Sequence, residues 1–188
     1  MELETIFTSV PVIETPRLIL RGIRQSDAEA IFATFSDEQT MEFYGRLPHA
    51  SLEESRALIA SITERLAQRL AIRWGITLRG GDDEVIGSCG LFLFDEEYRR
   101  ATTGYELRRA YWRQGIMSEA LRGMLTFGFT EMGLHRIEAV VDDVNERSKG
   151  LLRKLGFTFE GTLRQRFWFR ERYLDEHYFG LLRDEWRG

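Results

Sequence analysis

Tyr111-Trp112-Arg113-Gln114-Gly115-Ile116-Met117-Ser118-Glu119-Ala120-Leu121 is the stretch that decides how the rest of the chain is read. Ahead of it, Ala101–Leu107 carries Thr, Tyr and Leu in a pattern suited to a strand. Behind it, Ile116, Ala120, Leu121, Met124 and Leu125 recur at helical spacing. A glycine-centred turn therefore joins a strand to a helix start. No Ser, Thr, Asp or Asn stands just ahead of that helix to satisfy its free N–H groups. A phosphate would satisfy them, because backbone N–H groups and the helix dipole both favour an anion there. Arg108, Arg109 and Arg113 add positive charge beside the turn. An ordinary β–α turn has the same outline, so this stretch alone leaves both readings open.

On the C-terminal side the helix runs to about Met132 and stops at Gly133. Arg136–Val141 then reads as a buried strand, and the strand–helix–strand unit requires a right-handed crossover with a parallel pair. Asn145 caps a further helix, Glu146 suits its first turn, Leu151, Leu152 and Leu155 face the core, and Gly156 ends it. Phe157–Arg164 continues as a strand, and Phe167–Arg170 with Tyr173–Leu182 forms a final hairpin turning at Glu171-Arg172. On the N-terminal side, Ala71–Leu78 and Val85–Phe94 are strands joined through Gly80–Asp83, and Asp95–Arg100 turns into Ala101–Leu107. Leu18–Ile23 is an earlier strand. Ser26-Asp27 opens a helix with the apolar stripe Ala28, Ile31, Phe32 and Phe35. Ser51-Leu52-Glu53-Glu54 fits a capping box and opens a second helix to about Arg69, burying Leu58, Ile59, Ile62 and Leu66. Residues 1–14 read as an extended lead-in.

With 188 residues the expectation is one domain, residues 1–188, with a substantial core. The 26 Lys plus Arg against 30 Asp plus Glu argue against nucleic-acid and membrane-surface binding. A single cysteine, Cys89, excludes an internal disulfide framework and a cysteine-cluster metal site. His49, His135 and His177 are scattered without metal-ligand spacing, so no metal is expected. Met1-Glu2-Leu3-Glu4 is acidic and lacks a signal-peptide apolar core, and no apolar run reaches membrane-spanning length, so a cytoplasmic location is expected.

Two phrases carry a family resemblance. The Tyr111–Leu121 stretch resembles the acyl-CoA pyrophosphate loop of the GNAT N-acetyltransferase superfamily, Gln/Arg-x-x-Gly-x-Gly/Ala, with Gly115 at the central glycine. Trp112 stands where Gln or Arg is usual and Met117 where Gly or Ala is usual; Met117 narrows the loop. Asn145-x-x-Ser148-x-x-Leu151-Leu152-x-x-x-Gly156-Phe157 resembles the superfamily's second signature. Tyr-Trp-x-x-Gly-x-x-x-Glu-Ala and Phe157–Arg164 resemble the ribosomal-protein N-terminal (RimJ/RimL-like) branch. The likeness covers residues 15–182.

The resemblance implies an α/β (α+β) fold, with a mixed, mostly antiparallel sheet of about seven strands and about four helices, and a parallel pair at the acyl-CoA site. It implies acetyl-CoA as cosubstrate, contacted by Leu107, Arg108, Arg113, Gln114, Gly115, Ile116, Met117, Ser118, Asn145 and Arg153. The segment between the first two helices walls the acceptor site, which places Phe43, Tyr44 and Arg46 against substrate. A homodimer is compatible with the family.

The reaction implied is direct acetyl transfer from a thioester to a neutral amine, with no covalent enzyme intermediate. A base takes a proton, a backbone N–H on the strand before the loop holds the thioester oxygen, and an acid protonates the departing thiolate. Leu152 occupies the position where many superfamily members carry a tyrosine acid, and the branch offers Ser148 instead. Asn145 is a cofactor or substrate contact as well as a cap. Phe167 stands where the branch's glutamate base is expected, which leaves Glu106 as the replacement candidate. Cys89 is read as a small buried hydrophobe. The expected acceptor is a protein N-terminal α-amine. The alternatives are a polyamine or aminoglycoside, favoured if Asp95, Glu96, Glu97 and Asp175 make the acceptor site acidic, and a non-catalytic acyl-CoA-binding module.

Overall fold

Strand alternation builds the frame. In the computed structural model, which describes residues 6–188, apolar side chains on successive strands fall on one face and pair across neighbours. The strands are β1 (Ile13–Glu14), β2 (Leu18–Gly22), β3 (Ala71–Leu78), β4 (Gly87–Asp95), β5 (Arg100–Leu107), β6 (Arg136–Asp142), β7 (Thr158–Phe169) and β8 (Arg172–Leu182). They form one sheet in the order β1-β2-β3-β4-β5-β6-β8-β7. Among the described residues only β5 and β6 run parallel, as the expected crossover requires. The extra short strand, β1, lies in the expected lead-in; residues 1–5 of that lead-in fall outside the described residues. The two strands expected between Phe157 and Arg170 are one, β7, whose register against β8 shifts at Gly161 and between Leu163 and Phe167.

Among the described residues the helices are α1 (Ala28–Phe35), α2 (Leu52–Ala67), α3 (Ile116–Thr130) and α4 (Glu146–Lys154). α3 and α4 cover one face. Their Ile116, Ala120, Leu121, Met124, Leu125, Leu152 and Leu155 join Leu18, Trp74, Leu91, Ile137 and Leu181 of the sheet in the main core. α1 and α2 cover the other face around Ile31, Phe35, Met41, Ile59 and Val85. The α2 stripe is less buried than its spacing suggests. Ile59 is buried, but Leu58 and Ile62 are half-buried because they wall a cavity. At the start of α2, Ser51 makes no side-chain cap; instead Glu54 accepts from the Ala50 N–H at 3.1 Å. β4 begins at Gly87 rather than Val85, because Val85 turns its side chain into the α1–α2 cluster and its carbonyl to Arg108.

Close approach of β4 and β5 at the loop end depends on a missing side chain. A Cβ at Gly87 would lie 2.5 Å from the Glu106 carbonyl oxygen and 2.9 Å from the Leu107 Cα, both backbone atoms that cannot swing away. Gly87→Ala should therefore push the end of β5 outward and cost about 1–3 kcal/mol of stability, as over-packed cores do. Urea denaturation of the two proteins measures it; equal midpoints would mean that the strands are not held this closely.

Candidate active site

β5 and β6 pair only at Arg100–Arg136, Ala101–Ile137 and Thr102–Glu138. Beyond Thr102 the strands part, and the β5 edge from Thr103 to Leu107 has no strand partner on that side. The parting follows an irregularity next door. β4 bulges between Phe92 and Asp95, with Leu93 in the left-handed region at φ 53°, and a bulge increases the local twist of its strand.

Two cavities open into the gap. The first, of about 880 Å³, is lined by Leu107, Arg113, Gly115, Ile116, Met117 and Ser118, with Arg109, Arg147 and Lys154 among its cations. Its floor is the turn into α3. Gly115 stands at the N-cap with φ 75° and Arg113 at φ 60°, and no side chain caps the helix. Alternating handedness of this kind gathers N–H groups into an anion-binding concavity. The turn is fixed from both ends. Thr15 Oγ1 and Arg17 Nε donate to Glu119 of α3, each at 2.6 Å, and Arg17 Nη1 donates to the Gln114 carbonyl at 3.0 Å. Trp112, unusual at its position in the motif, donates its indole N–H to the Leu107 carbonyl at 2.6 Å and so ties the turn to β5. The Arg147 guanidinium lies 4.5 Å over the Trp112 ring and pairs with Glu42 at 3.0 Å, joining α4 to the loop after α1.

The second cavity, of about 660 Å³, is walled by Phe43, Tyr44 and Arg46 of that loop, by Leu58, Ile62 and Arg65 of α2, and by Arg166, Phe167, Glu176 and Tyr178 of the β7–β8 ribbon. Asp95, Glu96, Glu97 and Asp175 line neither cavity. The acidity that would suit a polycationic acceptor is therefore not supplied by them.

Five residues line both cavities: Phe43, Tyr44, Tyr105, Asn145 and Ser148. At this junction the Tyr105 hydroxyl lies 2.7 Å from Ser148 Oγ. Burial pushes the Tyr105 phenol up to about 12, against the opposing effect of the Ser148 hydrogen bond, so Tyr105 keeps its proton at neutral pH. Asn145 Oδ1 accepts from the Ser148 N–H at 3.1 Å, capping α4 and fixing where the serine points.

Beneath the junction, Glu106 is buried and accepts from Arg73 Nη2 and from Ser88 Oγ. Arg73 Nε also donates to Ser88 Oγ at 2.6 Å, and Arg73 Nη2 reaches the Tyr44 hydroxyl at 3.3 Å. Burial raises the proton affinity of the Glu106 carboxyl, with Arg73 and Ser88 opposing. Burial also works against the Arg73 charge, but Glu106 outweighs it and the guanidinium stays protonated. Both Glu106 oxygens are engaged, and Glu106 borders only the first cavity. Cys89 is fully buried and its thiol is pushed up to about 12 by that burial, which removes it as a nucleophile.

Most of the sequence-predicted residues converge here, and three face elsewhere. Arg108 turns away to Glu84 at 2.8 Å and to the carbonyls of Ala30 and Val85. Gln114 donates back to the Ala110 carbonyl at 2.9 Å and lines neither cavity. Arg153 is exposed and lies 5.9 Å over the Phe179 ring; its neighbour Lys154 faces the cavity instead. Tyr105, Arg73 and Arg147 were not signalled by any motif. Strand alternation puts Tyr105 and Glu106 on opposite faces, which was the one available clue.

The sheet thus carries a parted parallel pair beside a helix start that no side chain caps. Residues 17–158 match the family model described as an acetyltransferase (GNAT) domain. The chain is 43% identical over 155 residues to the uncharacterized N-acetyltransferase YoaA of Bacillus subtilis (strain 168), covering 82% of this chain and 87% of that protein. It is 36% identical over 174 residues to the uncharacterized N-acetyltransferase p20 of Bacillus licheniformis, covering 93% and 97%. Among solved structures, one titled a "putative ribosomal-protein-serine acetyltransferase from Vibrio cholerae" superposes with a TM-score of 0.79 at 25% identity, covering 92% of this chain and 98% of that one. The chain belongs to the GNAT acetyltransferase family and is an N-acetyltransferase.

Gly115→Val places a β-branched residue at φ 75° and crowds the N–H concavity. CoA affinity measured by calorimetry should fall roughly fivefold or more, the fold-change that corresponds to the ~1 kcal/mol lower bound of such strain. Unchanged affinity in the folded variant would contradict the assignment of the turn.

Proposed function

We propose that the chain transfers acetyl from acetyl-CoA directly to a protein N-terminal α-amine. The observation that carries the reading is the Tyr105–Ser148 hydroxyl pair at the junction of a cationic cavity and a second, separately walled one. Acetyl-CoA fits the first cavity by charge. Its pyrophosphate would meet the N–H groups of Arg113–Ser118, and Arg109, Arg147 and Lys154 would face its remaining phosphate. The unpaired β5 edge from Thr103 to Leu107 would bond the pantetheine amides as an added strand, and one of its N–H groups would hold the thioester oxygen.

The neutral amine enters from the second cavity and attacks the carbonyl carbon. The new N–C bond forms, the C–S bond breaks, and the excess amine proton leaves to water. Ser148 gives its proton to the departing thiolate and takes one from Tyr105, and Tyr105 regains a proton from the water that received the amine's, so that the phenol is protonated again before the next turnover. Glu106 stands as the anchor of Arg73 and, through it, of Tyr44, rather than as the base.

Relatives bear names of both acceptor types: beside the Vibrio cholerae protein stands the spermidine N(1)-acetyltransferase of Escherichia coli (strain K12), 24% identical over 155 residues, covering 82% of this chain and 80% of that one. The absence of Asp95, Glu96, Glu97 and Asp175 from the cavity walls favours the peptide amine.

Ser148→Ala and Tyr105→Phe should each lower kcat by roughly 10²-fold, within the range of general acid catalysis, with little change in acetyl-CoA affinity. The double variant should be no slower than Ser148→Ala alone, because the two act as one relay. Additive losses in pre-steady-state thiol release would separate the two hydroxyls and end the relay reading.

A free α-amine of pKa near ~8 is about a tenth neutral at pH 7, whereas a lysine near ~10.4 is less than about a thousandth neutral. With no dedicated base, matched peptides that differ only in which amine is free should show faster transfer to the α-amine at pH 7. The difference should narrow as pH rises towards about 9.5, where lysine begins to lose its proton. Equal kcat/KM for the two at pH 7 would reveal a base.

A further inference from the structure

We propose that the second cavity selects acidic N-termini: peptides whose residues just after the reacting amine carry carboxylates, held by Arg46, Arg65 and Arg166. The inference rests on the peptide-acceptor reading above and gives its substrate class.

Charge at this cavity runs against the charge of the chain as a whole. The whole chain has 26 basic and 30 acidic side chains. The wall of this cavity reverses the balance, with Arg46, Arg65, Arg73 and Arg166 against Glu176 alone. Arg73 is neutralised by Glu106. Glu176 is partly engaged, accepting from the Tyr178 hydroxyl at 3.2 Å. The remaining three arginines come from three separate elements: the loop after α1, the α2 helix and strand β7. None of the ion pairs among the described residues includes them. Arg166 lies near enough to Tyr178 to oppose the rise in that phenol's proton affinity, and the phenol stays neutral.

Arg65 supplies the second observation. Its Nε is buried and has no hydrogen-bond partner. A guanidinium N–H held from water without an acceptor is costly, and an incoming carboxylate would relieve that cost. Arg46 and Arg166 are exposed, so their charged heads remain free to meet side chains further along a bound peptide. Guanidinium groups on the helix, loop and ribbon sides would thus face carboxylates around an extended chain, while a lysine-rich peptide or a polyamine would meet like charge.

The test uses the full-length protein, saturating acetyl-CoA and thiol release. The acceptors are Ser-Glu-Asp, Ser-Ala-Ala and Ser-Lys-Lys peptides of equal length, with free glutamate and spermidine as small acceptors. The acidic peptide should have a kcat/KM roughly three- to tenfold above the neutral one, the scale of two partly exposed ion pairs, and the basic peptide should rank last. The advantage should shrink between about 20 and about 300 mM salt, as the Debye length falls. Arg65→Gln should reduce the acidic-to-neutral ratio, and Arg166→Glu should invert the order of the acidic and basic peptides. Equal rates for the three peptides, or a ratio indifferent to Arg166→Glu, overturn the charge selection and leave the peptide reading standing. Transfer to glutamate but to no peptide upholds the selection for anions and overturns the peptide reading. Preference for spermidine, or transfer to none of the five, overturns both.

Discussion

The parting of β5 from β6 is the constraint on which the site depends. Three paired residues hold the parallel strands together, and the next five on β5 have no partner on that edge. Backbone groups in such an edge must find partners elsewhere, and a linear ligand with amides is the natural one. The neighbouring strands do not permit the gap to close. β6 is committed to β8 along all of Arg136–Asp142, and β5 is pinned to β4, where Gly87 allows backbone to approach backbone. The gap is thus stabilised by antiparallel pairing on both outer sides.

What the gap becomes is decided by the elements at its rim. The α3 turn is held by Glu119 from beneath and by Trp112 from the side, so its N–H groups stay fixed without a side-chain cap. The loop after α1 is joined to α4 through Arg147, Glu42, Phe43 and Trp112. That link brings Phe43 and Tyr44 to the same junction as Asn145 and Ser148. The charge that matters is local. A chain with more acids than bases surrounds two cavities whose free charges are mainly arginine and lysine, while its acids are spent on pairs such as Arg21–Asp27 and Arg136–Glu160.

The backbone framework was legible in the sequence because it depends on local periodicity and on signals such as Gly115, Asn145 and Gly156. The turn and the α4 cap lie where their phrases implied, and the loop residues Phe43, Tyr44 and Arg46 line the second cavity. Side-chain direction was harder. Arg108 and Arg153 have the right type and position for phosphate contacts, but a guanidinium goes to its best acceptor, and the carbonyls of Ala30 and Val85 with Glu84 capture the first. Glu106 stood out as an isolated strand carboxylate, yet its partner Arg73 lies on β3, two strands away across Ser88 of β4, and no spacing within a strand reveals that. Tyr105 was hidden for the same reason: its partner Ser148 is 43 residues away and reaches it only after the crossover is made.

The central claim is that acetyl transfer takes place where the two cavities meet. A crystal structure of the protein with a bisubstrate compound, CoA joined through an acetyl link to the α-nitrogen of a short peptide, tests it most directly. The account predicts the pyrophosphate against the Arg113–Ser118 N–H groups, the pantetheine along Thr103–Leu107, the sulfur within hydrogen-bonding reach of Ser148 or Tyr105, and the peptide leading out past Phe43 and Tyr44. A sulfur remote from both hydroxyls, or a peptide leaving on the opposite face of the sheet, would contradict it.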